Sequence, residues 1–417
     1  MTSFVWPKKR IYFLIGMVVV YIVFGVSVNL ASNSGLIQKE KPTPVEHNFG
    51  DVIPEGMQKN YEKQLETAEV FVAKKLLQRN GHIRLTYILY NNGTSTYDYN
   101  TNSEAISYYL LWNAIGKNKE EFDNALVFLE TYMIHPDHNY MMWRLNASEM
   151  PQDDGSNIAS DADLRAIKAL LIAEKHWGDL RYSQLIDRLS LGVEKVAITK
   201  DGLLAPYGGS SGKDSIWTAQ EVWLSYSDFT VFESLAKRRG EPWTTMNENM
   251  KKLILKSQLY NGLYNSQLTE EKKFGNGIDA GGYGINSMWI MIRNAESQDP
   301  ELRASAQKSL DFYKLKFSQD GELYALYSSN GDALSPSDAP WVYALVGRAA
   351  VRMEDEEFSK QIIDKLLNSQ VNDENSQLFG AFPEPDKDLT KVSQFTMQES
   401  ILTLQDFIDM QEKSSIK

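Results

Sequence analysis

From Gly56 onward, apolar residues recur at spacings of three and four, the period of a helix that buries one face. Asn80-Gly81, Gly178-Asp179, Gly240, Asn261-Gly262 and Asn330-Gly331 punctuate the pattern. It predicts twelve helices, near 57–78, 103–116, 119–133, 161–177, 179–196, 217–238, 242–258, 283–297, 300–317, 338–352, 354–369 and 393–412. Many are joined by very short links, as 103–116 is to 119–133 and 161–177 to 179–196. A short link forces neighbouring helices to run antiparallel. Six such hairpins suit an all-α chain folded as an (α/α)6 barrel, in which inner helices alternate with outer ones.

A different pattern precedes the barrel. Lys8, Lys9 and Arg10 stand before an uncharged stretch, Ile11 to Gln38. Its apolar part, 11–31, has about the length of a bilayer-spanning helix, ~20 residues. A cleavable signal is shorter, roughly 7–15 apolar residues, and Asn29 fits a cleavage site poorly. The expected order is a cytoplasmic basic region (1–10), a transmembrane signal anchor (11–31), a linker containing Pro42, Pro44 and Pro54 (32–55) and one catalytic domain (56–417). Basic residues stay inside, so the domain is expected outside the cell membrane on a single-pass anchor, or secreted if the segment is cut.

Composition narrows the function. The chain has 417 residues, 42% of them hydrophobic, enough for a large core. Its net charge is -12, with no long basic run beyond the extreme N-terminus, which argues against a nucleic-acid partner. Cysteine is absent, which excludes disulfides and thiol chemistry. His135 and His138 flank Pro136 and Asp137 in a loop and are not read as a metal site. No phosphate loop, nucleophile elbow or zinc motif occurs, and neither metal nor other cofactor is expected.

Aromatic-rich segments (79–102, 134–160, 197–216 and 259–282) separate the hairpins, where a rigid scaffold concentrates functional residues. Carboxylates stand beside them. Glu104 follows Asn102-Ser103 at a helix start and can be first-turn decoration or a general acid. The acid role needs a carboxyl that stays protonated near neutral pH. Other carboxylates would have to converge on Glu104 to supply that. Asp161 and Asp163 begin the next buried helix, where Ser160 or Asp161 can cap. Spaced by two, they face nearly opposite sides and do not share one job. Asp279, within Gly277-Ile278-Asp279-Ala280-Gly281-Gly282, can activate a water or simply organise a turn.

These segments resemble a known family. Ala159-Ser160-Asp161-Ala162-Asp163, with Ala169-Leu170-Leu171, Ala173 and Trp177, is similar to the signature of glycoside hydrolase family 8, departing at Ala166-Ile167. Ser103-Glu104-Ala105-Ile106-Ser107-Tyr108 resembles the segment bearing that family's proton donor, and Met142-Trp143-Arg144 its Trp-containing segment. The resemblance implies an (α/α)6 barrel and inverting hydrolysis of a β-1,4-linked polysaccharide. Glu104 would be the general acid and Asp161 the aspartate gripping the sugar. Asp279 would be the base, although the arginine the family carries nearby is missing, and Asp228 is the reserve. Trp143, Arg144, Tyr108, Tyr226, Trp217 and Asp163 complete the expected substrate contacts, with core packing as the alternative for each aromatic. Similar members accompany exopolysaccharide synthesis systems, so that machinery is a candidate partner. A binding or assembly protein without turnover is the alternative function, favoured by the missing arginine. A lyase would want a Tyr/His pair and a basic cleft, which the acidic balance opposes.

Overall fold

The computed structural model describes residues 60–416 except 152–154, 213–214, 336–338 and 387–388. The expected anchor and linker lie outside the described residues. Among the described residues no helix is long and apolar enough to cross a membrane.

Among the described residues there are twelve α-helices, in six pairs. The inner ones are α2 (Ser103–Ile115), α4 (Ser160–Trp177), α6 (Phe229–Arg239), α8 (Ile285–Glu296), α10 (Pro340–Arg352) and α12 (Gln394–Ile416). The outer ones are α3 (Lys119–Phe128), α5 (Leu180–Val196), α7 (Trp243–Ser257), α9 (Pro300–Asp320), α11 (Glu356–Leu367) and α1 (Tyr61–Phe71). Each inner helix packs on the next, and α12 packs on α2, so the ring is closed. The first five outer helices each follow their inner partner, whereas α1 comes first in the chain and pairs with α12. Tyr61 seals that junction, its ring 5.0 Å from Phe407 and its hydroxyl donating to Asp364 at 3.0 Å.

Burial explains the two classes. Helix α5 buries one stripe, Tyr182, Leu185, Ile186, Leu189, Val193 and Val196, and leaves its other face wet. Helices α2 and α10 are buried almost all round. Side-chain oxygens of Asn102, Asp179, Asp228 and Asp299 cap α2, α5, α6 and α9.

One expectation is corrected. The helix expected over 217–238 begins at Phe229. Its first third forms the strands Ser215–Thr218 and Val222–Trp223, the first paired with Tyr207–Gly212. The helical barrel also carries short strands in its loops. Small antiparallel sheets sit in the loops leading into α2, α4, α6, α8 and α12, and the hairpin Thr86–Tyr90/Ser95–Asp98 joins Leu389–Ser393 across the ring closure. Because each outer helix returns the chain, the inner helices start at one end of the ring. The sheets therefore build up the end where the candidate carboxylates lie.

Candidate active site

Glu104 stands in the first turn of α2. Asn102 Oδ1 accepts the Ala105 N–H at 2.8 Å and caps the helix. The glutamate is thus spared the capping role. Asp161 and Arg165 of α4 face it from one side. Glu399 and Gln394 of α12 face it from the other, the Gln394 amide donating to Oε2 at 3.4 Å. An anion in a first turn is normally favoured by the helix dipole. At Glu104 burial is the larger influence. With Asp161 and Glu399 adding repulsion, it raises the carboxyl to about 7 against the pull of Arg165 and the Asn102 amide.

Asp161 does not cap its helix. The strand Ile158–Ala159 runs directly into α4, and the Ser160 hydroxyl donates to the Ala205 carbonyl at 2.8 Å instead of capping. Asp161 instead accepts from Arg165 at 3.0 Å, one turn on. Arg165 also donates to Ser107 Oγ at 3.0 Å and lies 3.9 Å from the centre of the Tyr108 ring. The Tyr108 hydroxyl donates to Glu399.

Asp163 faces away. It is fully buried and accepts the Met141 N–H at 2.9 Å, with burial holding its carboxyl well above the usual range. It braces the segment that carries Trp143. The Trp143 backbone then links the two helix starts. Its N–H donates to the Asn157 carbonyl at 2.8 Å, and its carbonyl accepts from the Ser103 N–H at 2.9 Å. Arg144 lies 5.6 Å over the Trp143 ring and 4.0 Å from Asp98.

Asp279 ends the 3-10 turn Gly277–Asp279, ahead of α8. Ala280 follows in the left-handed region at φ 52° and Gly281 at φ 83°, which turn the chain sharply. Oδ1 accepts from the Asn286 amide at 2.8 Å, and Asn286 is itself fixed by the Ser225 hydroxyl at 2.6 Å. Oδ2 is buried and makes no hydrogen bond of ordinary length. Burial raises this carboxyl to about 6, with Asn286 and the nearby Ser266 hydroxyl opposing. A carboxylate with one oxygen fixed and one uncommitted can accept a proton.

Some expected contacts are placed elsewhere. Tyr108 is 1% exposed beneath Arg165, so no sugar ring can reach it. Asp228, the reserve base, caps α6 and is paired with Lys168 at 3.2 Å and Arg293 at 3.1 Å. Those cations overcome its burial and hold it below the usual range, so it is a poor proton acceptor. Trp143 and Tyr226 are mostly buried, and Trp217 is 38% exposed on its strand. His138 sits beside Lys195 Nζ at 3.0 Å, with its ring tilted against that of His135 at 4.8 Å.

Beneath the site runs an ionic network. Arg348 of α10 bonds Glu399, Asp406 and Glu296, each at 3.2 Å. Glu296 also takes Lys168 at 2.6 Å and Arg293 at 3.3 Å, and Asp406 takes Arg352 at 2.6 Å. Sequence reading missed Arg165, Gln394 and Glu399. Arg165 was open to discovery as the i+4 partner of Asp161. Glu399 belongs to a helix whose buried face includes Gln394, Thr396, Gln398, Ser400 and Thr403, and buried polar residues on an inner helix are themselves a signal.

Comparison with known proteins bears on the family and the fold. The family model for glycosyl hydrolases family 8 matches residues 80–294. A structure described as a novel alpha-amylase from Clostridium perfringens aligns with TM-score 0.71 at 24% identity, over 85% of this chain and 99% of its own. PssZ from Listeria monocytogenes aligns at 0.59 and 16%, over 81% and 94%. The endo-beta-1,4-glucanase CMCax from Acetobacter xylinum aligns at 0.56 and 17%, over 84% and 99%. At these identities the likeness speaks to the fold alone. No curated protein sequence matches the chain.

Proposed function

The chain belongs to glycosyl hydrolase family 8, and on that premise we propose that it hydrolyses a β-1,4-linked polysaccharide within the chain, by an inverting mechanism. Glu104 protonates the departing glycosidic oxygen. Asp279 takes a proton from a water that attacks the anomeric carbon from the opposite face. The glycosidic bond breaks as the new carbon–oxygen bond forms. Glu104 is left ionised and Asp279 protonated, and exchange with solvent resets both. Asp161, anchored by Arg165, holds hydroxyls of the sugar at the cleavage point.

One observation carries this reading. Two buried carboxyls at the same end of the ring titrate near neutrality, at about 7 and about 6, in different surroundings. Release of reducing ends from β-1,4 polymers tests it. Glu104→Gln and Asp279→Asn are each expected to lose roughly 10²–10⁴-fold in turnover. Fresh product should appear first as the α anomer. A β anomer would rule out inversion, and binding without turnover by the wild type would favour a polysaccharide-binding or assembly protein.

A second reading concerns the linkage. The Clostridium perfringens structure, described as an alpha-amylase, has a TM-score of 0.71 against 0.56 for the endo-beta-1,4-glucanase. Amylose therefore belongs in the same assay, and activity confined to it would move the substrate to α-linked glucans. We further propose that segment 11–31 tethers the enzyme outside the cell membrane, where it would trim a polysaccharide leaving its synthesis machinery. Protease accessibility on intact cells, with the protein in the membrane fraction, checks this.

A further inference from the structure

The surroundings of Glu104 contain a cation that could defeat an acid. Arg165 is 1% exposed and close enough to pull on the Glu104 carboxyl. A guanidinium paired with that carboxyl would fix it as the anion. Yet its two terminal nitrogens are engaged elsewhere, one on Asp161 at 3.0 Å and one on Ser107 Oγ at 3.0 Å. Its plane is fixed by the Tyr108 ring 3.9 Å away. The ring is fixed in turn by the Tyr108 hydroxyl on Glu399, which is 1% exposed and held by Arg348 at 3.2 Å.

We propose that Glu399 is a positioning residue for the acid: through the Tyr108 hydroxyl it fixes the ring on which Arg165 lies, and so commits that guanidinium to Asp161 and Ser107 instead of Glu104. The inference rests on Glu104 being the general acid.

The charge pattern of the ring supports it. In the network around the site, Asp161, Asp228, Glu296, Glu399 and Asp406 are matched by Arg165, Lys168, Arg293, Arg348 and Arg352. Among the described residues these five carboxylates and five cations pair with one another, and Glu104 has no salt-bridge partner. A protonated Glu104 adds no charge to this network, whereas an ionised one adds an uncompensated buried charge. The groups facing Glu104 are Asp161 and Arg165 from α4, Glu399 and Gln394 from α12, and Asn102 from its own cap. Removing the Glu399 charge removes one repulsion and loosens the Tyr108 ring that holds Arg165 in place, and both changes favour the ionised acid.

The test compares pH profiles of kcat/KM for wild type, Glu399→Gln and Tyr108→Phe, with thermal melts as a folding check. Glutamine keeps the shape of residue 399 but replaces the charged acceptor of the Tyr108 hydroxyl with a neutral, weaker one. Glu399→Gln is expected to move the alkaline limb to lower pH, with roughly tenfold lower activity near pH 7.5 and nearly wild-type activity near pH 5.5. Tyr108→Phe should shift it the same way and decides the matter if Glu399→Gln does not fold. A sugar with a fluoride leaving group, which needs little protonation, should restore both variants. An equal loss at every pH, or profiles that superpose on wild type, would overturn the proposal. If Glu104→Gln shows no dependence on the leaving group, the acid assignment itself fails. If it shows that dependence while the other two profiles do not move, the positioning role alone fails.

Discussion

Glu104 is held in the less favourable of two states whenever it ionises. Its carboxyl is raised from 4.5 to about 7 by burial first and by Asp161 and Glu399 next. The folded state therefore binds a proton that the unfolded state releases between those values, and stability falls as pH rises through that window. At 1.36 kcal/mol per unit, the cost at pH 8 is on the order of 3 kcal/mol. Glu104→Gln should melt at a higher temperature than wild type at pH 8, with the difference vanishing near pH 4.5. In the proposed mechanism Glu104 and Asp279 also set the pH profile of turnover. There Asp279 must be ionised and Glu104 protonated, so the profile should be a narrow bell with limbs near 6 and 7. At this scale the sequence was legible where a residue's task is local. The opposite facing of Asp161 and Asp163 followed from spacing alone, and the structure shows one on Arg165 and the other on the Met141 amide. The pairing of Tyr108 with Glu399, which lie 291 residues apart, has no local signature.

At the scale of elements, helix periods were readable because each outer helix needs one apolar stripe and each link is short. The failure over 217–228 has a physical cause. Trp217, Val222, Trp223 and Leu224 fit a helical period, but Val222 and Trp223 pair with Leu268 and Gln267 in a sheet that only the fold supplies. Asp228 then starts the helix by capping it. Close approaches between elements were equally hidden. Gly192 lies inside α5, where alanine would ordinarily be favoured by about 1 kcal/mol. A Cβ there would sit 2.6 Å from the Asn139 carbonyl, on backbone that cannot yield cheaply. Gly192→Ala is therefore expected to destabilise by about 1–3 kcal/mol. It should also raise KM, because the displaced segment continues into Met141 and Trp143. Thermal melts with Michaelis kinetics on the same preparation check both.

For the whole molecule, the ring is the unit of stability. Helices α1 and α12 close it, and α12 supplies Glu399 and Asp406 to the network on Arg348. Removing residues 394–416 would leave Arg348 with two of its three carboxylates gone, and breaking a buried ion pair costs about 3–5 kcal/mol. Such a truncation is expected to show no cooperative unfolding transition by calorimetry. The closed toroid was legible from hairpin rhythm, but which helices would meet to close it was not, since that contact joins the two ends of the pattern.

That closure also orders events during synthesis. The acid side chain is translated early, within α2, while Gln394, Glu399 and Asp406 come almost three hundred residues later. Without α12, Glu104 has water where Glu399 and Gln394 stand in the closed ring. In water a glutamate is an ordinary anion, useless as a proton donor. On the proposed assignment, the acid therefore becomes competent only once the last helix has closed the ring.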